Sequence, residues 1–143
     1  MARIQLQLPD KFLYETEIAI RISDLNYGGH LGHDTLLTLL QETRVNFYRT
    51  LGIKDELSLE GTVGQVIADV GVQYKSEVFF GDTLMVQLGV ADIHKFGFDM
   101  VYRVTQKTSG KDVAIAKTGI VCFDYATRKI APVPASLFSK INP

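Results

Sequence analysis

Residues able to do chemistry crowd into one stretch of the 143-residue chain, Asp24-Leu25-Asn26-Tyr27-Gly28-Gly29-His30-Leu31-Gly32-His33-Asp34. Carboxylates, an amide and two imidazoles stand there among three glycines, just before a helical pattern begins. Histidine is the side chain best suited to proton transfer near neutral pH, so His30, behind two glycines, is the first candidate base. Its alternative is a polar residue packed under the helix start. Asp24 offers a carboxylate that could activate water; otherwise it bonds loop N–H groups and shapes the turn. An amide has no useful basicity, so Asn26 could only orient a water or a carbonyl, unless it is simply a left-handed turn residue. The backbone at Gly28, Gly29, Leu31 and Gly32 supplies the complement. Glycines admit a ligand closely, and the first N–H groups of a helix attract an anion or a polarised carbonyl. His33 reads as a solvent-facing cap and His94 as a turn residue.

Two elements must hold this stretch. Before it, Tyr14, Thr16, Ile18, Ile20 and Ile22 alternate with Glu15, Glu17, Ala19 and Arg21, the pattern of a strand with one buried face. After it, from about His33 to Leu51, the period changes. Leu36, Leu37, Leu40, Phe47, Tyr48 and Leu51 form an apolar stripe of helical spacing, with His33 or Asp34 as cap and Gly52 as the terminating residue. Glu42 falls on another face with Leu39, Asn46 and Arg49, as a candidate helix carboxylate or as an i,i+4 partner of Asn46. Residues 54–62 read as loop. Four strands follow, around 66–75, 84–90, 98–104 and 113–123, with turns at Gly81-Asp82, His94–Gly97 and Ser109–Asp112. The last strand carries apolar or small residues on both faces and is expected to be central. Its neighbours Phe96 and Phe98 read as core more than as pocket wall. Pro132 and Pro134 end the regular structure, with a short last turn after them. Turns this short make neighbouring strands antiparallel, so one long helix must cover one face of an antiparallel sheet, an α+β domain spanning 1–143.

Composition narrows the function. Apolar residues make up 46% and charged residues 22%, with a net charge of −1 and no basic run, which argues against nucleic acid as a partner. The single cysteine, Cys122, has no partner for an internal disulfide and reads as a small buried residue. No signal peptide and no apolar run of membrane-spanning length is visible, so the expected location is the cytoplasm. No His/Cys cluster supports a metal, and the glycines lack the spacing of a nucleotide fingerprint.

The sequence resembles a known group. Asp24-Leu25-Asn26-Tyr27-Gly28-Gly29-His30 is similar to the strand-to-helix signature of 4-hydroxybenzoyl-CoA thioesterase-like proteins, Asp-x-Asp-x-x-Gly-His-Val-Asn-Asn, and to the Asp-Leu-Asp-x-Asn-x-His signature of acyl-ACP thioesterases. Glu42-Thr43-Arg44, Leu51-Gly52, Tyr74 with Gly81-Asp82, and Arg128-Lys129-Ile130 with Pro134 extend the similarity over nearly the whole chain. The resemblance implies a hotdog fold, a five-stranded antiparallel sheet around one helix. It also implies homodimers or tetramers with the site between subunits, and hydrolysis of acyl-CoA or acyl-carrier thioesters. Four positions differ from these patterns. Asn26 stands where the group has its usual catalytic Asp, Gly28 where the acyl-ACP enzymes have an Asn, and Gly32-His33 where the group has Asn-Asn; His30 matches.

The expected function is thioester hydrolysis by water. His30 or Asp24 is the base, Asn26 the orienting amide, and N–H groups near Gly28, Gly29, Leu31 and Gly32 the oxyanion donors. No cofactor is expected beyond the coenzyme A of the substrate. The alternative is an acyl-thioester-binding protein that has lost its base along with the Asp. Coenzyme A phosphates would need basic residues at the mouth, for which Lys75, Arg103, Lys107, Lys117, Arg128 and Lys129 are candidates.

Overall fold

The leucines and aromatics of the helical stripe form α1 (His33–Thr50), with Leu36, Leu39, Leu40, Phe47 and Tyr48 buried in this computed structural model, which describes residues 2–142. Leu37, expected in the stripe, faces outward, and Leu39 takes its place. The helix starts at Gly32 with no side-chain cap, so neither His33 nor Asp34 performs that role. Gly52 has the expected positive φ, +82°, just past its end.

The strands are β1 (Tyr14–Ala19), β2 (Val63–Tyr74), β3 (Thr83–His94), β4 (Gly97–Gln106), β5 (Asp112–Asp124) and β6 (Lys129–Ile130). A helix α2 (Ala135–Ile141) closes the chain, and Ile22–Asp24 is a 3₁₀ turn where the first strand was expected to continue. All pairings are antiparallel, in the order β1-β3-β4-β5-β2, with β6 on the end of β5. This is the hotdog arrangement, with six strands instead of five; the sixth is a two-residue return that no alternation could announce. β5 is interior, as its two apolar faces required. Cys122 is fully buried on it, and burial pushes its thiol up to about 11, which removes it as a nucleophile near neutral pH. Phe98 is core and Phe96 is exposed.

β2 carries the fold's main irregularity. Its register against β5 slips between Ile67 and Asp69, leaving Ala68 as a bulge. Gln65 and Ile67 pair with Cys122 and Ile120, whereas beyond the bulge Val70, Val72 and Tyr74 pair with Thr118, Ala116 and Ala114. Directly opposed residues share a face, so the bulge moves the inward phase from odd to even positions. Val66, expected on the same face as Val70, lies on the other one.

The segment before β1 crosses the outer face of the sheet. A Cβ on Gly71 would touch Ile4 and Leu6, and one on Gly89 would lie 2.5 Å from Pro9 Cγ, so both strands are bare where the segment passes. The Leu6 N–H donates to Gln73 Oε1 at 2.8 Å. Beneath it Lys117 bridges Asp69 and Asp99, each at 3.3 Å.

Between helix and sheet lies a buried polar network. The Arg44 guanidinium donates to Glu56 Oε2 at 3.0 Å and to the Tyr102 hydroxyl at 3.3 Å. Gln65 links Glu56 to the Tyr48 hydroxyl, and Tyr102 meets Thr118 at 2.8 Å. Burial raises both phenols, so they remain neutral donors and acceptors. Removing one member of a buried ion pair strands the other. Glu56→Ala is therefore expected to cost about 3 kcal/mol in urea unfolding; a loss well below 1 kcal/mol would mean that Arg44 finds another partner or water.

Candidate active site

The chain between β1 and α1 folds back on itself by satisfying its own backbone. The Asn26 N–H donates to the His30 carbonyl at 2.8 Å and the Gly29 N–H to the Asn26 carbonyl at 3.1 Å, with Gly29 at φ +79°. The Asn26 side chain closes the turn, its Oδ1 accepting the Gly28 N–H at 2.8 Å. Two further bonds fix the loop to its surroundings: Leu31 N–H to the Val78 carbonyl at 2.8 Å, and Gly32 N–H to the Asp24 carbonyl at 3.2 Å.

A cleft of about 330 Å³ opens between this loop, the first turn of α1 and the end of β2. Leu31, Leu36, Val78 and Val113 make its apolar lining. Asn26, His30, His33, Tyr74, Lys75 and Glu77 supply its polar groups. Tyr74 ties the walls together, its hydroxyl donating to the His33 carbonyl at 2.8 Å.

Asn26 and His30 are brought together here. Gly28 lies between them, since a Cβ on it would sit 3.1 Å from His30 Nε2 and 3.2 Å from Asn26 Oδ1. With Oδ1 taken by Gly28, Asn26 has its amide N–H groups left to offer. His30 Nδ1 lies 3.3 Å from the Leu31 carbonyl, the geometry for Nδ1–H to donate and Nε2 to hold the lone pair. Nε2 is 4.0 Å from Glu77 Oε1. Glu77 is a site residue that sequence reasoning missed. It is brought in only because the Leu31–Val78 bond lays the segment after β2 against the loop.

Asp24 and Glu42 do not line the cleft. Asp24 is buried, and its carboxylate accepts from the Arg21 N–H at 2.8 Å and from the Arg21 guanidinium at 3.2 and 3.4 Å. Burial acts to raise this carboxyl, but the Arg21 bonds and charge outweigh it and hold the group below the usual carboxylate range. Glu42 is exposed, and its charge acts on Arg21. The expected oxyanion donors are also rearranged. The N–H groups of Gly28, Gly29, Leu31 and Gly32 all have partners within the protein. The donors left are those of His33, Asp34 and Thr35, the first three residues of a helix that has no side-chain cap. Among the described residues no three His, Cys, Asp or Glu side chains converge as metal ligands would, and no helix is long and apolar enough to cross a membrane.

Known proteins of this shape and sequence point one way. The family described as the Thioesterase-like superfamily matches residues 20–141. A 1,4-dihydroxy-2-naphthoyl-CoA hydrolase from Synechococcus elongatus is 26% identical over 126 residues, covering 87% of this chain and 91% of that protein. Among solved structures, a 1,4-dihydroxy-2-naphthoyl-CoA thioesterase from Synechocystis superposes with a TM-score of 0.82 at 20% identity, covering 90% of this chain and 95% of that one. A 12:0-ACP thioesterase from Umbellularia californica gives a TM-score of 0.75 at 17% identity over 91% of this chain and 52% of its own. At these identities the two structures establish shared fold.

The Asp24 environment has a measurable consequence. A carboxyl depressed by folding contributes stability above its unfolded value, near 3.8, and loses it as pH falls below that through the folded value. Asp24→Asn is expected to cost about 1–2 kcal/mol at pH 7 in urea unfolding. Its deficit relative to the unsubstituted protein should shrink below pH 3.8. A deficit constant down to pH 2 would show that the charge of Asp24 is not what holds Arg21.

Proposed function

The chain belongs to the Thioesterase-like superfamily, and from that premise we propose that it hydrolyses acyl-CoA thioesters in the cleft between the glycine loop and the start of α1. The observation that carries this reading is the meeting of three functions at one place: the free Nε2 of His30, the donor amide of Asn26 and the unpartnered N–H groups of the helix. Hydrolysis needs those three and nothing covalent from the protein.

The steps follow from the geometry. The acyl carbonyl oxygen lies toward the N–H groups of His33 to Thr35, where the helix dipole favours developing negative charge. A water beside Asn26 attacks the carbonyl carbon, and His30 Nε2 takes its proton. The imidazolium so formed has two acceptors beside it, Glu77 Oε1 4.0 Å from Nε2 and the Leu31 carbonyl 3.3 Å from Nδ1. Collapse of the tetrahedral intermediate breaks the C–S bond. His30 returns the proton to the leaving sulfur, giving free acid and thiol. Asp24 serves as a positioning residue through Arg21 and the Gly32 N–H, outside the reacting atoms.

The reading extends to assembly as a homo-oligomer. Among the described residues β2 pairs with no strand but β5; residues 56–60 bond its beginning at Val63 and Gln65, and the edge beyond them is open. Ile67 and Val70 are exposed along it on one face, and Leu37 is exposed on α1. Pairing of two such edges would cover this apolar strip. Light scattering is expected to give a dimer or higher species; a monomer at micromolar concentration overturns this part.

Thiol release from a panel of acyl-CoAs tests the chemistry. His30→Ala is expected to lower kcat by about 10²–10⁴-fold, with Glu77→Gln costing a smaller factor. A silent unsubstituted protein that gains turnover in Asn26→Asp would overturn the reading in favour of a binding protein that has lost its base.

A further inference from the structure

Two cations near the cleft have no carboxylate partner among the described residues. Of the basic residues that could meet coenzyme A phosphates, Arg103 pairs with Asp112, Lys107 with Glu17, and Lys117 with Asp69 and Asp99. Arg128 lies over the rings of Phe123 and Tyr125. Lys129 stands opposite Asp124 in the strand register, eleven residues along β5 from the cleft residue Val113, roughly 35 Å at strand rise. Lys75 alone of that set lines the cleft, and among the described residues it has no carboxylate partner.

Lys75 also lines a second depression, of about 500 Å³, that shares Tyr74 and Lys75 with the cleft. Its far side is Arg3, also without a carboxylate partner among the described residues. Arg3 is held there by chain geometry. Ile4 and Leu6 rest on the bare backbone of Gly71, and the Leu6 N–H is bonded to Gln73. Two cations, a guanidinium fork and an ammonium that suit phosphate oxygens, thus line one depression that adjoins the reaction cleft at Tyr74 and Lys75.

We propose that Arg3 and Lys75 form an anion subsite that receives the phosphate-bearing nucleotide end of coenzyme A, with the segment crossing the sheet serving to deliver Arg3. The assignment rests on the thioesterase reading of the cleft and adds a preference: the carrier is free coenzyme A, whose nucleotide end is multiply phosphorylated, in place of a protein-bound pantetheine arm.

Direct binding separates this from the hydrolysis itself. By calorimetry in low salt, the unsubstituted protein is expected to bind coenzyme A at least tenfold more tightly than pantetheine, which lacks the phosphates. Arg3→Ala should narrow that gap severalfold while leaving pantetheine binding unchanged, and added salt should narrow it in the unsubstituted protein. In turnover, Arg3→Ala should raise KM for acyl-CoA severalfold with kcat unchanged. It should leave kcat/KM for the matching acyl-N-acetylcysteamine thioester as it was. No gap between coenzyme A and pantetheine, or an equal loss on both thioesters, overturns the subsite. Coenzyme A binding with the predicted gap but no thiol release from any thioester would instead overturn the hydrolytic reading and leave the subsite standing.

Discussion

The cleft depends on a property of every α-helix: its first N–H groups have no partner within the helix. Here no side chain caps them, and the preceding loop has spent its own donors elsewhere. Gly32 gives its N–H to Asp24, Leu31 to Val78, Gly28 and Gly29 to Asn26. The unmet donors are therefore concentrated in the first turn of α1, whose His33 and Leu36 line the cleft. Asp24 has two parts in this. Its carboxylate is neutralised by Arg21 while its carbonyl holds the last loop residue, so the helix begins where it does because a buried ion pair anchors the turn before it.

Helix position is fixed at both ends by one strand. Gln65 reaches the Tyr48 hydroxyl near the end of α1, and Tyr74 reaches the His33 carbonyl at its start. These β2 residues are nine apart, an odd separation, so a regular strand would put them on opposite faces. The bulge at Ala68 supplies the extra residue that lets both point inward. The same irregularity thus joins the buried Arg44–Glu56–Gln65 network to the cleft wall. The mouth of the cleft inherits its shape from strand pairing.

What was legible in the sequence was whatever repeats. The change from period two to helical spacing located α1, and the glycine turns located the hairpins. What repeats weakly was missed. β6 is two residues long, and Ala68 sits inside a run that reads as one unbroken alternation. Leu37 and Leu39 are both leucines near the stripe, and the seating of α1 on the sheet decides which one is buried. At the site, Asn26 and His30 were visible because they are neighbours in the chain. Glu77 and Arg3 come from elsewhere, through one backbone bond and a segment laid over Gly71. The donors at Gly28 to Gly32 were misplaced by a few residues because spacing reports that a turn exists without reporting which N–H groups it consumes.

Asn26 shows how a site can rearrange without refolding. In the group the loop resembles, an Asp stands at this position, and either side chain can offer an oxygen to the Gly28 N–H, so the turn accepts both. The difference lies in the second atom. A carboxylate presents a further acceptor to the cleft, whereas the amide presents N–H donors. A site with the carboxylate can deprotonate water at that point, and a site with the amide must obtain its base elsewhere. In the proposed site that base is His30, four residues on, across Gly28 from the Asn26 side chain and with Nε2 4.0 Å from Glu77. A Cβ at Gly28 would press on both groups at 3.1 and 3.2 Å, so a glycine here leaves the space between the amide and the imidazole open.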